Sequence, residues 1–131
     1  MRINHIFEKQ NNRVVATSLN WVNQDENIEI KLDFDAHAVC SQKLNEIVIE
    51  NYQGKSILFY SYSGELLRQI PLPSLDGHQF RGLNNSNDSK SGVSLIFLPT
   101  DESKKTKWND MVQHELIIKE PYIGKYLNIY R

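Results

Sequence analysis

Four histidines, one cysteine and an uneven scatter of carboxylates are the residues of this chain equipped for chemistry. His5, His37, His78 and His114 stand in no His-x-His or His-x-x-x-His spacing, and no Cys-x-x-Cys accompanies them, so no local zinc motif exists. Asp33-x-Asp35-x-His37 is the one spacing worth a metal test. On a continuing strand these three share a face at steps of about 6.6 Å. A solvated strand face ending in histidine has the same pattern, and no second ligand cluster supports it, so no metal site is expected. Cys40 lies three residues from His37, but catalytic Cys–His pairs come from distant segments, and Cys40 reads as an inert small thiol. Gly-x-Ser-x-Gly and the glycine-rich phosphate loops are absent. The reading is therefore no catalytic residue, no metal and no cofactor. A general acid/base pair built from His37, His78 or His114 with a carboxylate remains as the alternative, a small hydrolase or ribonuclease.

Charge gives a second lead. The net value is −1, which exerts no global pull toward nucleic acid or an acidic membrane. The only basic run, Ser103-Lys104-Lys105-Thr106-Lys107, follows Asp101 and Glu102 directly, which is the composition of a solvated loop. Acid is concentrated between Asp25 and Glu50, where seven Asp/Glu face two Lys. Asp25, Glu29, Asp33 and Asp35 form the expected negative stripe on the wet face of one strand, a surface that draws in a basic partner.

The elements that must carry these residues follow from period-2 alternation. Ile28, Ile30, Leu32 and Phe34 alternate with Glu29, Lys31, Asp33 and Asp35, which predicts a half-buried antiparallel strand over 28–35. Strands are also expected at "NHIFE", "RVVATSLNWV", "EIVIENY", "HQFRGLNN", "GVSLIFL", "ELIIKE" and "KYLNIYR". "QNN" and "NQDEN" supply turns, and "SNDSKS" reads as a polar, mobile loop. Pro71, Pro73 and Pro99 close strands, since proline cannot donate to a ladder. Trp108, Met111, Val112 and Leu116 have helical spacing, predicting one short helix near 106–112. The expectation is a single domain, 1–131, mainly β: an antiparallel sandwich or open barrel of eight to ten short strands.

"GKSILFYSYSGELLRQIPLP" reads as a hairpin, with Gly64 supplying a positive φ in the turn. Both faces of Ser56–Tyr62 carry large side chains. Tyr60 and Tyr62 suit either a strand covered on both sides or a recognition surface of rigid aromatic contacts. No apolar run is long enough to span a bilayer, the N-terminus lacks a secretory core, and the lone cysteine forms no internal disulfide. These features predict a cytoplasmic protein.

The stretches "ILFYSYSGELLRQIPLP" and "WNDMVQHELIIKEPYIGKYLNIYR" resemble small β-rich bacterial immunity proteins of contact-dependent inhibition and other polymorphic toxin systems. The hairpin is also similar to the Tyr-Asp repeat of Rhs-type shells. Here it runs Tyr60-Ser61-Tyr62-Ser63-Gly64-Glu65-Leu66, a single copy with serine in place of aspartate, which departs from a shell repeat. Immunity proteins share no common fold, so the resemblance assigns no residue a role. It implies a non-enzymatic protein that neutralises a cognate toxin, a nuclease being the natural target of an acidic face. Asp25, Glu29, Asp33 and Asp35 would capture, and Tyr60 and Tyr62 would pack. A carbohydrate-binding or structural β-sandwich module, with Trp21 or Trp108 stacking on sugars, is the further alternative.

Overall fold

The computed structural model describes residues 1–105 and 110–130. Among them are eleven strands, one 3-10 turn at Glu102–Lys104, and three antiparallel sheets, none closed into a barrel. The chain divides into two compact units, Met1–Leu72 and Pro73–Arg131.

The first unit opens with β1 (Asn4–Gln10), β2 (Arg13–Asn23) and β3 (Glu26–Leu32), a three-stranded meander. Its turns use residues that tolerate the left-handed region: Asn11 and Asn12 at φ 53° and 64°, Gln24 and Asp25 at 49° and 67°. Two successive positive φ values are what a two-residue hairpin needs to match strand twist. β4 (Ala36–Ser41), β5 (Glu46–Asn51), β6 (Ser56–Ser61) and β7 (Leu66–Pro71) form a second sheet in chain order. The two sheets pool their inward side chains in one cluster: Leu19, Trp21 and Leu32 from the first, Ala36, Ile47, Ile49 and Leu58 from the second. Ile28, Ile30 and Phe34 pack against it, as the alternation predicts. Burying an aliphatic side chain of this size contributes about 1.5–3 kcal/mol, so the cluster holds the two sheets together. The opposite face of the second sheet is also dry, with Val48, Ile57 and Phe59 fully buried and Ile70 nearly so.

The strand expected over 28–35 stops at Leu32, and residues 33–34 bend. Thr17 supplies the physical cause. Its buried hydroxyl donates to the Phe34 carbonyl at 2.8 Å and accepts from the Ala36 N–H at 3.0 Å. The backbone therefore leaves the first sheet and starts the second as β4, a strand that the small, mixed side chains of "AHAVCS" do not announce.

The second unit is one sheet, ordered β11-β10-β9-β8, from β8 (His78–Asn85), β9 (Val93–Pro99), β10 (Met111–Leu116) and β11 (Ile123–Tyr130). Of the helix expected near 106–112, residues 106–109 lie outside the described residues, and Met111 and Val112 belong to strand β10. Their helical spacing is incidental to a ladder in which Val112 pairs with Phe97. "SNDSKS" is not a loose loop either. Ser89 and Ser91 are buried, Ser91 Oγ donates to the Leu116 carbonyl at 2.6 Å, and the Lys90 N–H donates to Glu115 Oε1 at 2.8 Å.

Candidate partner-binding surface

The acidic residues come from the β2–β3 hairpin, whose outer strand β3 is an edge of its sheet. Asp25 sits at the tip, Glu26 follows it, and both are exposed. Glu29 lies four residues beyond Asp25, about 13 Å along an extended strand, and is exposed on the outward face. Lys31 shares that face, its Nζ 3.9 Å from Glu29 Oε1 with both groups largely solvated. Such an exposed pair contributes about 0–1 kcal/mol and leaves the carboxylate available to solvent and partners.

The continuous stripe expected from Asp25 through Asp35 is broken. Asp33 is exposed but stands in the bend beyond β3. Asp35 lies on the link to β4, where its Oδ1 is buried, lacks a well-formed hydrogen bond, and sits 3.3 Å from His37 Nε2. The same Thr17 clamp that ends β3 takes Asp35 off the strand face, so Asp33, Asp35 and His37 do not line up. What remains on the hairpin is Asp25, Glu26 and Glu29, with Glu26 at the strand's start in the phase of Ile28 and Glu29 on the opposite, outward face.

Beside Glu29 runs a groove of about 630 Å³. Its rows follow the register: Asn4 opposite Asn20 opposite Glu29, and Val22 opposite Asn27. Asn4 Nδ2 donates to Asn20 Oδ1 at 3.1 Å, and Met1, Arg2, Trp21 and Ile28 complete the lining. Sequence reading passed over Arg2, Asn4, Asn20 and Asn27. The signal was present, since Asn4, Ser18, Asn20 and Asn27 all fall at the polar phase of their strands, but which polar rows meet depends on register.

Tyr60 and Tyr62 stand elsewhere. Both are half-buried and pack against the hydrophobic cluster. The Tyr62 hydroxyl donates to the Ser41 carbonyl at 3.2 Å and lies 3.2 Å from Cys40 Sγ. Burial pushes the Tyr62 phenol well above its ordinary range, with the Cys40 contact acting in the same direction. Burial likewise raises Tyr60. Trp21 is 2% exposed, and its indole N–H donates to the Tyr62 carbonyl at 2.7 Å, so it presents no ring face for a sugar. Trp108 lies outside the described residues.

The histidines fall in two places. His78 and His114 each set an edge against the Phe97 ring, with centroids 6.5 Å and 6.1 Å away. Each places its Nδ1 against a backbone carbonyl, His78 on Asp76 at 2.8 Å and His114 on Gly124 at 3.1 Å. His5 and His37 meet in the first unit at 6.1 Å, with Phe7 beside both. Among the described residues, no group of three His, Cys, Asp or Glu is arranged to hold a metal ion, and no helix is long and apolar enough to cross a membrane. No family model matches the chain, nor does any curated protein or solved structure.

Proposed function

We propose that this protein is a non-enzymatic binding module that docks a basic protein on its β2–β3 hairpin, acting as an immunity protein against a cognate toxin of the nuclease type. One observation carries the reading: Asp25, Glu26 and Glu29 are all exposed on one hairpin, and Glu29 also borders an open groove. The nuclease assignment rests on charge logic, because the cleft that binds a nucleic-acid backbone must be positive. An acidic hairpin competes for that cleft, speeds encounter through the long-range field, and occludes the cleft once seated. Asp33 lies beyond the hairpin and contributes only at long range, while Tyr60 and Tyr62 support the sheet behind it.

The test uses a tagged protein to capture its partner at low salt from the cells that encode it, followed by stopped-flow association with the purified pair. Replacing Asp25, Glu26 and Glu29 by Asn, Gln and Gln is expected to slow association about tenfold or more at low ionic strength and to flatten its salt dependence. An association rate unchanged by the triple replacement would sink the proposal.

A further inference from the structure

We infer that His5 is a pH-operated latch between the two sheets of the first unit, closed when its ring is neutral and released on protonation. β1 and β4 are outer strands of different sheets. β4 pairs with β5 on one side, Ala38 lying opposite Ile49. The Ala38 N–H is not used in that ladder. It points outward and donates to His5 Nε2 at 3.0 Å. An unpaired edge N–H is a liability in any sheet, and here an imidazole from the neighbouring sheet caps it.

The cap depends on protonation by its chemistry. Neutral imidazole has one acceptor nitrogen and one donor; imidazolium has two donors and no acceptor. Once Nε2 carries a proton, two N–H groups confront each other at the seam and the hydrogen bond is replaced by a clash of like dipoles. The surroundings oppose that proton as well. Burial holds His5 below the usual histidine range, and the neighbouring His37 pushes in the same direction, against a smaller upward pull from its hydrogen bond with the Ile3 backbone.

Every element packed around the ring contributes to the balance. Along the chain the neighbours are Ile3, just before β1, and Phe7 on β1, and across the ladder on β2 stands Leu19, none of them charged. On β4 stands His37, with Glu50 of β5 directly across from it in register. On the link stands Asp35, whose oxygen lies within ion-pair distance of His37. Asp35 therefore faces His37 rather than His5 and offers the latch position no acceptor. A proton there leaves a cation without one.

The sign follows from linkage. A base whose folded-state pKa lies below its unfolded value binds fewer protons when folded. Its stabilising contribution is complete above the unfolded value, about 6.5, and declines as pH falls toward the lowered folded value, below which the loss levels off. Acidification thus loosens the seam at Ala38 while the ladders within each sheet stay intact. That confers a regulated opening of the edge of β4, distinct from docking on the hairpin, which lies on β2 and β3.

The experiment is amide hydrogen exchange at Ala38, read by NMR on the full chain at pH 7.5 and pH 5.0 after correction for intrinsic exchange. The expected result is a protection factor at least tenfold lower at pH 5.0, with flanking β4 amides that face β5 unchanged. In His5→Gln, whose amide oxygen accepts at both pH values, the difference should vanish. In His5→Phe, Ala38 should exchange rapidly at both, and if that variant fails to fold, His5→Gln alone decides the matter. Protection that stays constant between the two pH values in the wild type, or falls equally in His5→Gln, overturns the latch. His37→Gln sharpens the mechanism. Removing the ring that pushes His5 downward should move the midpoint of the Ala38 transition to higher pH, and no movement overturns the part assigned to the His5–His37 pair.

Discussion

The two units of this chain bury different things. In the first, two sheets meet on aliphatic side chains, and the polar groups between them act as separate pins rather than one row: Thr17 on the β3–β4 link, the Trp21 indole on the Tyr62 carbonyl, His5 on Ala38. The buried Glu46 is paired within its own sheet with Arg68. In the second, a polar row crosses the whole sheet. Asn84 of β8 donates to Gln113 Oε1 at 3.2 Å, Ser94 of β9 donates to the same oxygen at 2.6 Å, and Gln113 Nε2 on β10 donates to Asn128 of β11 at 2.7 Å. Gln113, Glu115, Ser89, Ser91 and Ser94 are all buried there. A packed apolar cluster is forgiving of chemistry and strict about volume. A satisfied polar row is the reverse, because each member left without its partner costs about 1–3 kcal/mol.

That difference is broken most severely by a cavity in the first unit. Leu19 is fully buried at the centre of its cluster. Leu19→Ala should cost about 3 kcal/mol in urea unfolding, the transfer term and the residual cavity adding. A loss under 1 kcal/mol would mean that the two sheets close over the gap and are not packed as described. The mirror experiment removes chemistry while keeping volume. Gln113→Leu strips Ser94 and Asn84 of their acceptor and Asn128 of its donor, and should cost about 2 kcal/mol despite adding apolar surface. If the second unit were built on the rule of the first, the same replacement would be neutral or stabilising, so the sign of this one change separates the two designs.

The same contrast explains how much could be read in advance. Alternation at Ile28, Ile30, Leu32 and Phe34 is a local signal, and the structure places all four on the cluster. Turn chemistry was equally local: Asn11, Asn12, Asp25 and Gly64 all take positive φ. Illegible were the features created by one side chain reaching another strand. Nothing near Asp33 in sequence reveals that Thr17 will seize Phe34 and Ala36 and so scatter the acids. Nothing in "SNDSKS" reveals that Ser91 and Lys90 are tied to Leu116 and Glu115. Gln113 lies within a run of helical spacing, and only the tertiary fold brings Ser94 and Asn128 to it. The candidate surface divides in the same way. Glu29 was accessible to pattern, whereas the groove beside it depends on the register that puts Asn4, Asn20 and Glu29 in one row.

Turns extend the comparison to its finest scale. The β8–β9 loop of the second unit is held by buried polar partners, but the β6–β7 turn of the first is held by backbone fit, the partly exposed Ser61 hydroxyl, which accepts from the Glu65 N–H at 3.1 Å, and an apolar approach. Gly64 sits at φ 95°, its N–H donates to the Ser61 carbonyl at 3.0 Å, and a Cβ there would meet Ile28 Cγ2 at 3.0 Å. Gly64→Ala therefore incurs two penalties, a left-handed backbone carrying a side chain and a methyl pressed against β3, together about 1 kcal/mol. A double-mutant cycle with Ile28→Ala separates them. Removing Cγ2 relieves only the steric part, so a coupling of about 0.5 kcal/mol in the direction of rescue is expected by urea unfolding. Zero coupling would place the whole cost in the backbone, and the contact between the turn and the first sheet would then carry no strain. A Gly64→Ala protein as stable as the parent would show that the turn yields, and that this unit fixes its hairpin through the cluster alone.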